Sequence, residues 1–306
     1  MTITILNGDV SALLPTLPDK SIHSCITSPP YFGLRDYGVD GQIGLEETPH
    51  QFVAKLVSVF REVRRVLRDD GTLWLNLGDS YAGSGKGRWA DGNSYATGKQ
   101  ATHKGTTEGK LVKSFTPDCK PKDLIGIPWM VAFALRADGW YLRQDIIWHK
   151  PNPMPESVTD RCTKAHEYIF LLSKSERYYF DHEVIKEDGV IPAGTKGAKG
   201  SADRQKQKGV NARPPEYKIY DGKRNKRSVW TVTTKPFKGA HFATFPTDLI
   251  EPCILAGCPE GGTVLDPFGG SGTTGVVATL HKRNAVLIEL NPDYIEMAKQ
   301  RTGVFL

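Results

Sequence analysis

The sequence is poor in cysteine, and the spacing of its cysteines is not typical of a zinc site or a disulfide-rich protein. The five cysteines are Cys25, Cys119, Cys162, Cys253 and Cys258, and no Cys-x-x-Cys pair occurs among them. This spacing argues against a zinc site. An odd number of cysteines and the lack of a recognisable secretory leader predict reduced thiols and a cytoplasmic location.

Long hydrophobic runs and internal repeats are also missing. No apolar segment approaches the roughly 20 residues that a membrane-spanning helix needs, so we expect no membrane association. The chain has 306 residues, of which 39% are hydrophobic and 24% are charged. A chain of this length can bury a large core without a metal or a disulfide. We therefore expect one large domain, or a catalytic domain that carries a substantial insertion.

Positive charge is concentrated in one stretch. The formal net charge is +6, yet residues 186–238 alone hold fourteen lysines and arginines against five acidic residues. A basic run is usually a solvated surface, but this one is interleaved with tyrosine, tryptophan and phenylalanine, which better suits a nucleic-acid surface. The residues that we expect to contact nucleic acid are Lys223, Arg224, Lys226 and Arg227.

The first third of the chain shows an alternation of strands and helices. Short strands are predicted at residues 2–5, 22–27 and 72–77, and a short helix at residues 11–14. Residues 48–67 place apolar side chains at helical spacing, and Asp-Asp-Gly at 69–71 is expected to end this helix. Residues 82–122 are rich in Gly, Ser, Thr and Lys and are predicted to form an irregular loop.

The alternation continues after that loop. The predicted helices are residues 127–137, 249–256, 273–280 and 292–302, and the predicted strands are residues 141–148, 168–172, 178–180, 263–266 and 284–289. Residues 187–238 are predicted to be irregular. Strands that alternate with helices in this way indicate an α/β domain.

A glycine-rich segment follows one of the last strands. Residues 265–273 read Leu-Asp-Pro-Phe-Gly-Gly-Ser-Gly-Thr, where glycines permit close approach of the backbone to a ligand and a helix amino end offers free N–H groups. The next strand ends in Glu289, which can accept hydrogen bonds from ribose hydroxyls. Gly-x-Gly alone would suit a plain tight turn, but the order strand, loop, helix, strand and acid predicts a nucleoside cofactor.

A second motif follows the strand at residues 22–27. Residues 28–31 read Ser-Pro-Pro-Tyr, and consecutive prolines must end a central strand. The amino nitrogen of a base is a weak nucleophile because its lone pair is delocalised into the ring, and acceptors aimed at its hydrogens would counter this. The Ser28 hydroxyl and the Pro29 carbonyl can be such acceptors, and Tyr31 offers a ring on which an extruded base could stack. The alternative interpretation is a rigid turn with a core tyrosine.

These motifs together resemble a known family, the DNA amino-methyltransferases of the permuted β class. Its hallmark (Asp/Asn/Ser)-Pro-Pro-(Tyr/Phe/Trp) is matched by Ser28, Pro29, Pro30 and Tyr31. Its cofactor motif Asp-Pro-Phe-x-Gly-x-Gly is matched by Asp266, Pro267, Phe268, Gly270 and Gly272. Similar elements are Asn-Gly-Asp at 7–9, Phe-Ala-Thr-Phe-Pro at 242–246 and Trp-His-Lys-Pro-Asn at 148–152. The catalytic motif precedes the cofactor motif, which is the β-class order.

The resemblance implies a circularly permuted, doubly wound and mostly parallel sheet with one antiparallel edge. It implies a catalytic half at residues 1–182, a target-recognition insertion at residues 183–238 and a cofactor-binding half at residues 239–306. S-adenosylmethionine is the implied cofactor, and no metal is expected. The implied cofactor-binding residues are Asp9, Phe245, Pro246, Asp266, Pro267, Phe268, Gly270, Gly272 and Glu289.

The resemblance also implies a substrate and partners. We expect a bacterial or phage-encoded enzyme that methylates double-stranded DNA at a specific site, with a cognate restriction endonuclease and a homodimer as further expectations. Serine in the first motif position favours cytosine N4 over adenine N6, since adenine enzymes of the family mostly carry aspartate or asparagine there. An RNA or protein-amide methyltransferase and a catalytically silent DNA-binding protein are the alternatives.

Several residues with reactive side chains are given structural roles. Cys253 follows a proline, as the nucleophile of cytosine-C5 methyltransferases does, but it lies in an apolar helix and is expected to be a packing residue. His149, His166 and His182 fall in separate elements, which disfavours a shared metal site. Asp79 follows a buried strand and is open to either a site role or a turn role.

Overall fold

The structure, a computed structural model, describes residues 1–34, 38–82, 119–198, 217–234 and 245–303. This part of the chain contains twelve strands, six α-helices and one 3-10 helix, Leu14–Thr16. The strands are β1 (Ile3–Asn7), β2 (Ile22–Thr27), β3 (Leu67–Leu77), β4 (Tyr141–His149), β5 (His166–Ser173), β6 (Glu187–Asp188), β7 (Lys196–Ala198), β8 (Tyr217–Ile219), β9 (Lys223–Arg224), β10 (Val229–Thr231), β11 (Thr263–Asp266) and β12 (Asn284–Glu289). The helices are α1 (Val10–Leu13), α2 (Pro49–Val66), α3 (Ile127–Ala137), α4 (Thr247–Gly257), α5 (Thr273–Leu280) and α6 (Pro292–Thr302).

The chain divides into two compact units. The larger consists of Met1–Phe180 and Ser228–Leu306, and the smaller consists of Asp181–Arg227. Most of the predicted loop at residues 82–122 and residues 242–244 of the predicted Phe-Pro segment lie outside the described residues. The predicted insertion at 183–238 overlaps the smaller unit, and residues 228–234 belong to the larger one. No helix within the described ranges is both long and apolar enough to cross a membrane.

The larger unit is built on a sheet with the strand order β1-β12-β11-β2-β3-β5-β4-β10. Neighbouring strands run parallel, except that β5 is antiparallel to both β3 and β4. The expectation that the antiparallel strand forms the edge of the sheet was therefore wrong. The antiparallel strand is β5, and both β4 and the short β10 lie beyond it. The doubly wound, mostly parallel α/β fold is confirmed.

The crossover from β2 to β3 shows how local sequence sets the elements. Thr48 and Gln51 form a reciprocal capping box and Pro49 occupies the first turn, so α2 begins where the sequence predicts. The helix ends at Val66, and Leu67 is already extended and pairs with Ile22. The prediction that residues 69–71 end the helix was wrong, because β3 includes them.

Alternate side chains of β3 face the two layers of helices. Leu73 and Leu75 are buried in the cluster that contains the apolar face of α2. Trp74 points the other way, where a Cβ atom at Gly257 of α4 would lie 2.6 Å from its indole nitrogen. Residues 178–180 are not a strand; Phe180 instead stacks on Trp74 with ring centroids 6.1 Å apart.

The smaller unit contains two short antiparallel ladders. β6 pairs with β9, and β7 pairs with β8. The prediction that residues 187–238 are irregular was wrong for these segments, because each strand has only two or three residues and gives little periodicity to recognise.

Candidate active site

Both motifs singled out in the sequence lie at one edge of the sheet. The target motif, residues 28–31, follows β2, and the cofactor loop, residues 266–272, begins at the end of β11. These two strands are parallel neighbours that pair Ser24 with Val264 and Cys25 with Leu265. The fold thus brings together segments about 240 residues apart, at the edge where α/β sheets bind ligands.

Asp266 lies at the junction of the two motifs and is 1% exposed. Its carboxylate accepts hydrogen bonds from the hydroxyls of Thr27 and Thr274, each at 2.6 Å, and from the backbone N–H of Phe268 at 3.1 Å. Burial raises the pKa of Asp266 to about 6, against the opposing effect of these three donors. The side chain therefore holds the start of the loop to β2 and α5.

Packing within the protein explains part of the need for glycine in the cofactor loop. Gly272 has a φ of +78°, and a Cβ atom there would lie 2.9 Å from Cβ of Ala298 on α6. Gly270 also has a positive φ, +50°, which suits a residue without a side chain. Arg301 of α6 donates to the Ser271 carbonyl at 2.8 Å, so α6 fixes the loop from behind.

Glu289 ends β12 beside this loop. One carboxylate oxygen accepts the N–H of Gly270 and the other accepts the N–H of Asn291, both at 2.8 Å. Burial raises the pKa of Glu289. The Gly8 N–H donates to the Glu289 carbonyl at 3.0 Å, and Asp9 caps the first turn of α1. The structure thus places the Asn-Gly-Asp element against the end of β12.

The remaining predicted cofactor residues flank the same region. Pro267 is buried, and Phe268 packs against the main core cluster. Pro246 is the buried N-cap residue of α4, a helix that packs on α5, and Phe245 precedes it as a half-buried side chain.

Tyr31 is held by a polar network that the sequence did not reveal. Its hydroxyl donates to Glu167 Oε2 at 2.7 Å and lies 3.2 Å from Asn76 Oδ1. The Ser28 hydroxyl lies 3.5 Å from the Tyr31 oxygen. A Cβ atom at Gly78 would lie 2.5 Å from the Tyr31 ring, so the ring needs the bare backbone there.

The Trp-His-Lys-Pro-Asn element, residues 148–152, extends this network beyond Glu167. Lys150 forms an ion pair with Glu167, both side chains being mostly buried, and its ammonium lies 4.2 Å from the ring centre of Trp148. Trp148 and Asn152 bind the backbone of residues 232–234, which follow β10. The element therefore joins the network to the outermost strand of the sheet.

A pocket lies next to Tyr31. Its lining residues are Tyr31, Phe32, Leu34, Gly78, Asp79, Ser80 and Ile127. Asp79 Oδ1 accepts the N–H groups of Ser80, Gly126 and Ile127 at 2.9–3.0 Å. Asp79 therefore lines this pocket and also caps α3.

Glu167 and Asn76 are the functional candidates that sequence analysis missed. The rule that ligands lie at the carboxyl ends of strands overlooks Glu167, because β5 is reversed and brings its amino end to this edge. Lys150 lay within a recognised element, and a search for its buried counter-ion could have pointed to Glu167.

Ion pairs within the smaller unit engage Lys223, Arg224 and Arg227, three of the residues expected to contact nucleic acid. Lys223 pairs with Asp188, and both Arg224 and Arg227 pair with Glu187 at 2.9 and 2.6 Å. Against the effect of burial, the two arginines lower the pKa of Glu187. The positive charge of these three side chains is therefore balanced locally.

Each residue that was assigned a structural role has a buried position or a contact with another side chain. Cys253 is 1% exposed in α4. His149 contacts Thr231, His166 packs edge-on against Tyr168, and His182 contacts Glu183. Among the residues that the structure describes, no group of three His, Cys, Asp or Glu side chains is placed to hold a metal ion.

We predict that Asp266→Asn weakens the pH dependence of stability. The native pKa of about 6 exceeds the ordinary value of 3.8, so the native state binds more protons than the unfolded state in this interval. The resulting stabilisation is complete below about pH 4 and is lost as the pH rises through 6. A shift of about two units corresponds to about 3 kcal/mol.

Urea unfolding between pH 4 and pH 7 measures this effect. The free energy of unfolding should fall less over this range in Asp266→Asn than in the parent. Thr274→Val removes a donor that favours the charged carboxylate, so it should steepen the fall. Identical pH profiles for the parent and both variants would contradict the prediction.

Comparison with known proteins places the chain among DNA-modifying enzymes. A family model described as DNA methylase matches residues 22–300. The type II methyltransferase M.Cfr9I of Citrobacter freundii is 49% identical over 298 residues, which cover 97% of this chain and 87% of that protein. The type II methyltransferase M.SmaI of Serratia marcescens is 46% identical over 297 residues, which cover 97% and 89%.

Solved structures share the fold. The PvuII DNA methyltransferase, titled cytosine-N4-specific, has a TM-score of 0.65 at 19% identity and covers 98% of this chain and 86% of its own. A DNA modification methylase of Thermus thermophilus complexed with S-adenosylmethionine has a TM-score of 0.60 at 22% identity, with coverage of 99% and 93%. The family match and the close relatives show that this chain belongs to the DNA methylase family and is a site-specific DNA amino-methyltransferase that uses S-adenosylmethionine.

Proposed function

We propose that this enzyme methylates the exocyclic N4 of cytosine in double-stranded DNA. The observation that carries the proposal is Ser28, a neutral hydroxyl at the first position of the target motif, where most adenine enzymes of the family carry aspartate or asparagine. The similarly folded PvuII enzyme, titled cytosine-N4-specific, agrees in chemistry but shares only 19% of its sequence with this chain. Adenine N6 is the alternative target.

In the proposed mechanism, the target motif binds the base after it has left the stack. Tyr31 stacks on the base, with its ring fixed by Gly78 and its hydroxyl by Glu167. The Ser28 hydroxyl and the Pro29 carbonyl accept hydrogen bonds from the amino hydrogens, which makes the nitrogen lone pair more available. The amino proton leaves to solvent. Catalysis then rests on positioning and electrostatics.

The cofactor loop and Glu289 fit the nucleoside end of the cofactor. Each oxygen of Glu289 accepts an N–H, from Gly270 or from Asn291, and a carboxylate oxygen has a further lone pair that can accept a ribose hydroxyl. S-adenosylmethionine supplies an electrophilic methyl group when bound. The proposed cofactor-binding residues are Asp9, Phe245, Pro246, Asp266, Pro267, Phe268, Gly270, Gly272 and Glu289. Among them, Asp266 acts by shaping the loop, since its carboxylate is occupied by protein donors.

The smaller unit is the proposed target-recognition region. Its ion-paired lysines and arginines can exchange a carboxylate for a DNA phosphate. The proposed phosphate contacts are Lys223, Arg224, Lys226 and Arg227. The bacterial type II relatives support a cognate restriction endonuclease and a cytoplasmic setting as parts of the proposal. A homodimer completes it.

We predict that Glu289→Gln weakens S-adenosylmethionine binding by roughly 10- to 100-fold. An amide keeps one acceptor oxygen and loses the charge, and a hydrogen bond to a charged group contributes about 1.5–3 kcal/mol. Titration calorimetry measures the affinity. Glu296→Gln, on the exposed side of α6 and paired with Lys299, is the matched control and should bind like the parent. Equal affinities for both variants would remove Glu289 from the cofactor site.

We predict that replacing Lys223, Arg224, Lys226 and Arg227 with alanine weakens duplex binding. The slope of log affinity against log salt should fall by roughly one unit for each lost phosphate contact. Glu187→Gln should act in the opposite direction, because it releases Arg224 and Arg227 from their shared carboxylate. The paired control is Lys282 and Lys299, both changed to alanine. A salt slope like that of the parent would show that the four residues are only a solvated surface.

The target base is tested directly by its product. Duplex DNA methylated by the enzyme is digested to nucleosides and analysed by mass spectrometry, and N4-methylcytosine is the expected product. A product of N6-methyladenine alone would overturn the proposed base and leave the family assignment intact.

A further inference from the structure

The target motif begins with a neutral residue, but a buried carboxylate lies two hydroxyl groups away from it. Ser28 is 3.5 Å from the Tyr31 oxygen, and that hydroxyl is 2.7 Å from Glu167 Oε2. Glu167 is in turn paired with Lys150, and both side chains are only 16–17% exposed. The chain of contacts leads from the base-binding motif to an ion pair in the protein interior.

The chemistry of the Lys150–Glu167 pair determines which groups donate and which accept in this series of hydrogen bonds. The Lys150 ammonium can only donate, and the Glu167 carboxylate with which it pairs can only accept. Asn76 donates its amide N–H to Glu167 Oε2 at 3.2 Å and to the Tyr168 carbonyl at 3.0 Å, so its own orientation is set. The hydroxyl of Tyr31 has one hydrogen and faces two acceptors, Glu167 Oε2 at 2.7 Å and Asn76 Oδ1 at 3.2 Å. The nearer acceptor is also the charged one, so the hydrogen is directed to Glu167.

A tyrosine oxygen whose hydrogen is committed in this way can only accept from other partners. The Ser28 hydroxyl faces it as a donor at 3.5 Å. Once the Ser28 hydrogen points at Tyr31, the lone pairs of Ser28 remain for a second donor. In the target complex, that donor is the amino group of the base.

We propose that Glu167 is a positioning residue that makes Ser28 a hydrogen-bond acceptor toward the target amino group. The proposal rests on the proposed role of Ser28 in base binding. In chemical terms, Glu167 orients the hydrogens of two hydroxyl groups so that Ser28 presents its lone pairs, whereas an aspartate at position 28 would present its own carboxylate. A free serine could donate or accept, and a serine that donated would face the amino hydrogens with its own hydrogen.

Other carboxylates near the motif are already committed. Asp79 Oδ1 accepts three backbone N–H groups at the start of α3. Asp266 accepts from Thr27, Thr274 and the Phe268 backbone. Glu167 is the carboxylate that receives the Tyr31 hydroxyl.

The test compares single-turnover methyl transfer in several variants. Glu167→Gln should slow the chemical step by roughly 10- to 100-fold, the range expected for one charge-assisted hydrogen bond, and leave the affinity for S-adenosylmethionine unchanged. Tyr31→Phe removes the hydroxyl that links Glu167 to Ser28 and keeps the Lys150–Glu167 pair intact, so it should slow the chemical step similarly. The two changes combined should add little. Glu62→Gln, in a partly buried ion pair with Arg65 on α2, is the control and should match the parent.

The decisive variant moves the charge. Ser28→Asp in the Glu167→Gln background should recover at least roughly tenfold of the lost rate, because the acceptor then carries its own charge. In the parent background the same change should reduce the rate, since two carboxylates would then compete for the Tyr31 hydroxyl. A purely structural role of Glu167 would give no such reversal of sign.

Three results would overturn the proposal: an unchanged rate in Glu167→Gln, additive losses in the double variant with Tyr31→Phe, or no recovery with Ser28→Asp. The product nucleoside is identified in every reaction. A parent enzyme that forms N6-methyladenine refutes the proposed base, while the dependence of Ser28 on Glu167 is still read from the rates.

Discussion

The hydrogen bond from Thr27 to Asp266 joins the two halves of the site. It links residues 239 positions apart, in a region where both side chains are almost fully buried. The bond continues the pairing of β2 with β11, so the target motif and the cofactor loop leave the sheet side by side. A buried carboxylate that lost these donors would be left poorly solvated. The donors therefore tie the geometry of the cofactor loop to the strand that carries Ser28, and neither motif can shift far without disturbing the other.

The reversed strand β5 explains how the catalytic edge acquires its polar network. A parallel strand in this place would bring its carboxyl end to the edge and leave Glu167 at the far side of the sheet. Because β5 is antiparallel to both neighbours, Glu167 faces the site next to Asn76 of β3 and Lys150, which follows β4. Four consecutive strands of the sheet thus contribute to the surroundings of Tyr31. The cation and anion of this network lie in a mostly buried place, where their attraction is screened less than at the surface.

Local sequence signals predicted most of the fold and the centre of the site, whereas interactions between distant segments were missed. Helix α3 and strand β11 fall at the predicted bounds, because apolar periodicity and punctuation by Gly and Pro are local properties. The place of β5 within the sheet depends on its pairing with β3, from which residues 78–165 separate it, and no local pattern specifies that pairing. Glu167 was missed for the same reason, since its role comes from contacts with residues in three other segments. The local balance of Arg224 and Arg227 by Glu187 likewise depends on a ladder too short to recognise.

The two ends of the site handle negative charge in opposite ways. At the cofactor end, burial raises the pKa of Asp266 and Glu289, and backbone and hydroxyl donors offset this effect. At the target end, Glu167 has a full counter-charge in Lys150. A carboxylate held by neutral donors is not offset by a counter-charge, whereas one paired with lysine exerts little long-range field and acts through its hydrogen bonds. The first arrangement suits attraction of a charged cofactor. The second suits the orientation of a neutral base, for which the direction of a hydrogen bond matters more than charge.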